Sequence, residues 1–268
     1  MAENTTVELR EEIIAQLVES GMTIEDAEKV YKEQFEVNNG TVRLPFSLLK
    51  FNNVAGIADI GDLVAEPEKT EDGDVISYGV VYKPEDIDFL VINRKAMYSA
   101  FDPETSTISV KTKLQDTYAK KHSFVDIMSG KTIDQLADLD PKYQVLATVG
   151  IRPKGTDETF TFYNIYLKGA TLYGINQLLD KVKESPYVLL NMVTKVSKKG
   201  AVRFTEIVLD KSEARALTKP ELLGNLSVFI ETNNAFNEYV AEINAEYDKQ
   251  LPGASQAGET QPSGDLPE

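Results

Sequence analysis

Along the chain, the spacing of apolar side chains alternates between two periods. Near the start, Val7, Ile13, Ile14, Leu17 and Val18 recur at helical spacing, and Gly21 ends the run. Thr23 with Asp26 then opens a second helix that continues to about Val37. This predicts a helical pair over residues 1–38, closed by the turn signal Asn38-Asn39-Gly40. From Thr41 to about Leu114 the runs are short and β-type: VRLPFSLLKF, DVISYGVVY, DFLVIN and TISVKTKL, with turn-rich pieces between them. Residues 115–141 are mixed and include a short helix at TIDQLADL.

The best-defined succession runs from Tyr143 to Asp210. YQVLATVGIR reads as a strand, PKGTDE as a turn and TFTFYNIYLKG as a second strand. ATLYGINQLLDKVKES is helical, with Leu172, Ile175, Leu178, Leu179 and Val182 on one face and Pro186 as its stop. YVLLNMVTKV and AVRFTEIVLD follow as strands joined by SKKG. With one more strand from residues 74–92, this order matches a five-stranded OB barrel, whose helix lies between the third and fourth strands. The expected fold is therefore mainly β (α+β), with an OB-like core over 41–226 that carries inserted strands and loops. KSEARALTKPELLGN reads as a connection, residues 227–249 as a C-terminal helix and residues 250–268 as a disordered acidic tail.

The strand from Thr159 to Gly169 raises a problem of faces. Tyr163, Ile165 and Leu167 make an ordinary core side, which leaves Phe160, Phe162, Asn164, Tyr166 and Lys168 on the other. Charge sharpens the picture. The chain carries a net −15, yet residues 141–219 hold 13 basic and 7 acidic side chains. Aromatic rings interleaved with cations suit unpaired nucleic acid, because bases stack on rings while Lys and Arg meet phosphates. Tyr143, Arg152, Lys154, Phe160, Phe162, Tyr166 and Lys168 on the second and third barrel strands are the expected contacts. Lys195, Lys198, Lys199 and Arg203 on the last hairpin join them. The alternative is a strand buried on both faces, in which case Asn164 and Lys168 need buried partners.

A second cationic–aromatic stretch holds Arg94, Lys95, Tyr98, Phe101, Lys111, Lys113, Tyr118, Lys120, Lys121 and His122. Lys111 and Lys113 are taken as extending the groove, and His122 is given no role. With no cysteine and one histidine, thiolate metal sites, HExxH sites and histidine triads are excluded. The many aspartates sit in turn-like segments, where Asp stabilises turns. No enzyme activity, cofactor or metal is expected. The N-terminus is acidic and polar, and no apolar run approaches the roughly 20 residues of a membrane span. A cytoplasmic protein without membrane contact is expected.

The element order of 143–210, followed by an acidic tail, resembles the bacteriophage-encoded single-stranded DNA-binding proteins. Asp265, Leu266 and Pro267 are similar to the acidic-Ile-Pro-Phe ending of bacterial relatives, although Glu268 stands where phenylalanine would be. The resemblance implies an OB core that holds single-stranded DNA without sequence preference in replication, recombination or transcription, in the host cytoplasm. It also implies a tail that recruits partner proteins of those processes. A structural or assembly protein of a virion or complex, in which aromatic faces are subunit contacts, is the competing reading, and a homo-oligomer is compatible with either. A metal-dependent nuclease is the third.

Overall fold

In the computed structural model, residues 23–24, 42–52, 58–65, 68–69, 75–77, 79–102, 105, 107–182, 185, 187–200 and 202–250 are described. The chain divides into two units, Met1–Arg43 and Leu44–Glu268. Except for Thr23, Ile24 and Gln250, the expected helical pair (1–38) and acidic tail (250–268) lie outside the described residues. The fold of the second unit is mainly β. Its strands are β1 (Leu48–Phe51), β2 (Leu63–Ala65), β3 (Glu68–Lys69), β4 (Val75–Ser77), β5 (Val81–Tyr82), β6 (Ile87–Asp102), β7 (Thr107–Lys111), β8 (Lys142–Pro153) and β9 (Thr161–Lys168). Helix α1 (Gly169–Leu179) follows, then β10 (Val188–Asn191), β11 (Thr194–Lys199), β12 (Val202–Ile207), β13 (Glu213–Ala216) and helix α2 (Lys219–Gln250). TIDQLADL forms a 3-10 helix over Ile133–Leu139. Among the described residues no helix is long and apolar enough to cross a membrane.

The main sheet curls into a half-barrel in the order β13-β10-β6-β8-β9-β1-β2-β5, with β7 also on β6. Every pairing in it is antiparallel except β1 with β9. β6 is sixteen residues long because it serves three neighbours: β8 along one edge, and β10 then β7 along the other. A register shift between Val91 and Asn93 interrupts it. Such a bulge re-aims the side chains that follow. Val91 belongs to the main core, whereas Ile92 and Asn93 both turn to the opposite face. Arg94 thereby regains the α1 side, where it reaches Asn176.

Inside the curl, Phe89, Val145, Val149, Ile165 and Leu167 pack with Leu172, Ile175 and Leu178 of α1. The outer face holds a smaller core of Leu90, Ile92, Phe160, Leu189 and Phe229, the last from α2. Both faces of β6 are thus dry over residues 89–92, which explains the continuous apolar run there.

Two expectations need correction. YVLLNMVTKV is not one strand. It breaks at Met192–Val193, where Met192 is buried and the Val193 amide donates to Ser212 Oγ at 2.9 Å. Beyond the break, β11 and β12 form a separate two-stranded ribbon. The supposed connection after Asp210 instead supplies β13, paired with β10, and the first turns of α2. The start of α2 is a capping box. Thr218 N–H donates to Glu221 Oε2 at 2.8 Å, and Glu221 N–H donates back to Thr218 Oγ1 at 3.4 Å.

The same Glu221 ties α2 to the sheet. Arg215 donates to both of its oxygens at 2.8 Å, and Arg152 donates to Oε1 at 2.9 Å. Arg152, only 4% exposed, also donates to its cross-strand partner Asp88 at 3.1 Å, and Asn191 donates to the other Asp88 oxygen at 2.7 Å. Arg215, Thr218 and Arg152 hold the Glu221 carboxyl well below the usual carboxylate range. A depressed acid stabilises the fold above its unfolded pKa and loses that contribution as pH falls below about 4. Glu221→Gln keeps the capping geometry but removes the charge. It should cost about 1–3 kcal/mol at pH 7, and urea midpoints measured from pH 6 down to pH 2 should fall less steeply than in the wild type.

Candidate nucleic-acid interface

The outer face of β9 is the first place to look for bases, and it is covered. Phe160 is 8% exposed, with its ring 5.9 Å from that of Phe229. Phe162 is half-buried, 6.4 Å from Phe229 and 6.0 Å from Phe46. Tyr187 closes the cluster at 5.0 Å from Phe229. Gly150 of β8 admits both the Phe162 ring of β9 and that of Phe160 just before it, since a Cβ there would lie 3.1 Å from Phe160 and 3.2 Å from Phe162. Farther along, Tyr166 keeps part of its surface, with Tyr239 and Tyr247 of α2 beside it, and burial raises its pKa. Burial, with Glu246 beside it, pushes the neighbouring Tyr247 up to about 12.

The polar residue on this face is satisfied, which resolves the objection to burying it. Asn164 donates to the Phe46 carbonyl at 2.9 Å and accepts from Thr148 Oγ1 at 3.0 Å. Asn93, cross-strand from Thr148, donates to Asn233 at 2.6 Å and to Asn237 at 3.1 Å on α2. A polar row therefore crosses β6, β8 and β9 beneath the helix. Phe160 cannot serve as a stacking platform in this conformation, and Phe162 and Tyr166 are engaged by α2.

Several expected cations are also committed elsewhere. Arg152 lies in the buried network, its guanidinium 4.6 Å from the Phe160 ring centre, and is withdrawn from the interface. Lys111 sits over the Tyr247 ring at 4.8 Å, and burial lowers its pKa. Lys113 pairs with Asp248. Tyr143 is half-buried at the edge of the main core, its ring 5.3 Å from Tyr98 and its hydroxyl donating to the Thr117 carbonyl at 3.3 Å. Lys154 and Lys168 are exposed, the first in the β8–β9 turn and the second at the start of α1.

The last hairpin stands apart from this pattern. Lys195, Lys198, Lys199 and Arg203 are all exposed on the β11–β12 ribbon, which carries a single acid, Glu206. Lys195 pairs with Glu206 at 2.9 Å. Lys198 and Arg203 are direct cross-strand partners, and among the described residues neither they nor Lys199 form an ion pair. Two cations facing each other across a ladder repel, so the ribbon bears an unfavourable term that an anion would relieve. The ribbon is held by α1. Thr171 Oγ1 donates to the Thr205 carbonyl at 2.8 Å, and a Cβ on Gly174 would lie 2.5 Å from Ile207 Cβ. The exposed Tyr173 lies next to Gly174 on α1 and was not among the expected contacts. Its signal was present in the helical period, which places residue 173 off the Leu172–Ile175–Leu178 face.

Among the described residues no group of three or more His, Asp or Glu side chains is arranged to hold a metal ion. Comparison with protein-family models, curated proteins and solved structures gives no match to this chain.

Two variants separate the covered face from the ribbon. Phe229→Ala, at a fully buried ring touching three others, should cost about 3–5 kcal/mol in urea unfolding. Gly174→Ala should cost about 1–3 kcal/mol despite its better helix propensity, because Ile207 has to move.

Proposed function

We propose that this protein is a non-sequence-specific single-stranded DNA-binding protein whose core is an OB-type module. In this reading the strand tracks along the basic β11–β12 ribbon rather than across the aromatic face of β9. The observation that carries it is the unpaired, directly opposed pair Lys198 and Arg203 on an exposed ribbon of net +3, set in a chain of net −15. A polyanion supplies the missing counter-charge, and the surrounding acidity disfavours contact elsewhere.

The strand order supports the OB reading of the core. β6, β8 and β9 form an antiparallel meander, α1 follows β9, and β10 returns to pair with β6. This is how a small barrel brings its fourth strand back to its first. The departures are that β12 leaves the sheet and that the free edge of β9 is taken, in parallel, by β1. Replication, recombination and transcription proteins are the proposed partners of the C-terminal tail.

A specific observation favours the assembly reading as well. Leu223, Leu226 and Ile230 are exposed at helical spacing on α2. Stable oligomers indifferent to salt and to DNA would favour it.

The test is anisotropy of fluorescent oligo-dT against a duplex control across a salt series. Binding should prefer the single strand and weaken with salt, with a log–log slope of about −0.7 per phosphate neutralised. The Lys198→Ala, Lys199→Ala, Arg203→Ala triple variant should lower the slope magnitude by about 2 and weaken binding about tenfold or more. Equal affinity for duplex and single strand, or a triple variant that binds like the wild type, would sink the proposal.

A further inference from the structure

The residue re-aimed by the β6 bulge points to a second site. Arg94 is half-buried and stands between two adjoining cavities of about 400 Å³ and about 260 Å³ that share Arg94, Thr117, Leu179 and Asp180 in their walls. The larger lies in the size range of small-molecule sites. Arg94 Nη1 donates to Asn176 Oδ1 at 2.9 Å, and no carboxylate among the described residues pairs with the guanidinium. Burial lowers its pKa, with Tyr143 and Asp180 opposing that shift. A guanidinium kept partly out of water with most of its donors unused calls for an anionic acceptor.

The remaining walls restrict what that acceptor belongs to. Val91, Leu179, Val182 and Val188 make one side apolar. At the rim, Tyr118 is 84% exposed, its hydroxyl fixed on Asp116 Oδ2 at 2.8 Å. Asp116 also accepts from Lys95 at 2.6 Å. A fatty acid or a simple dicarboxylate fills the volume but brings only acceptors to Asp116 and Asp180. Inorganic phosphate leaves the apolar wall and the ring unused. A molecule with an anionic group, a flat ring system and hydroxyl or amino donors satisfies all three.

We propose that this cavity binds a nucleotide, its phosphate on Arg94, its base against the Tyr118 ring and its sugar or base donors towards Asp116 and Asp180. The chemistry is the same for a free mononucleotide and for one nucleotide of a strand; only the second source rests on the single-strand-binding reading above.

The experiment is calorimetric titration of the full chain with thymidine monophosphate, thymidine, inorganic phosphate and, separately, oligo-dT. Thymidine monophosphate should saturate a site, and thymidine and phosphate should each bind about tenfold more weakly or worse, having lost one of the two anchors. Arg94→Ala and Tyr118→Ala should each weaken the monophosphate about tenfold. Arg94→Lys, which keeps the charge but not the fork, should fall between. Tyr118→Ala removes an exposed side chain and its one bond to Asp116. Tyr118→Phe, which loses only that bond, should bind the monophosphate like the wild type, so the test survives if Arg94→Ala does not fold. The triple ribbon variant should bind the monophosphate like the wild type while losing oligo-dT. If the monophosphate is silent but Arg94→Ala and Tyr118→Ala weaken oligo-dT, the ligand is a nucleotide within a strand, and the site stands. Unchanged binding of both ligands by both variants overturns the site. Oligo-dT silent with the monophosphate bound overturns the ribbon and leaves the pocket.

Discussion

Arg152 is a buried guanidinium, and the unit is arranged around keeping it partnered. Its fork is shared between Asp88, its partner across β6 and β8, and Glu221 in the first turn of α2, while Asn191 and Arg215 bring in β10 and β13. An uncompensated buried charge costs several kcal/mol, so removing any member leaves its partners stranded. A satisfied set adds little net stability but strongly prefers one arrangement. Here that arrangement fixes where α2 leaves the sheet, and with it the path of a 32-residue helix across the outer face.

Once α2 is set on that path, the second core follows. Phe229 falls over Phe160 and Phe162, Asn233 and Asn237 meet Asn93, Tyr239 meets Tyr166, and Asn244 accepts from the Leu114 amide. The face that carries the aromatic rings of β9 is thereby used for folding. The ribbon packed on α1 and the cavity beside Arg94 lie away from that covered face. Both owe their form to departures from regular pairing. The ribbon exists because β10 stops at Asn191, and Arg94 faces α1 because β6 bulges after Val91.

Some of this was readable in advance. The two periods of the apolar pattern separated β8, β9 and α1 cleanly, because each spans enough residues for a period to register. The ribbon was legible as cations around a glycine turn. Less legible was the extent of α2. Its capping box at Thr218 and Glu221 lay in a stretch read as a connection. Its buried stripe of Phe229, Phe236, Val240, Ile243 and Tyr247 marked a helix in need of a surface without naming that surface.

Local sequence determined which segments become strands or helices, which side of β9 carries rings, and where unpaired positive charge gathers, since these depend on neighbours within a few residues. Only the tertiary structure decided that the rings of β9 are covered, that Arg152 is a buried structural charge and that Arg94 opens onto a cavity. Each of those outcomes depends on groups far apart in the chain, such as Phe160 and Phe229 or Arg94 and Asn176. Side-chain periodicity reports that a face has to be buried or wetted; it carries no information on which distant element arrives to do it.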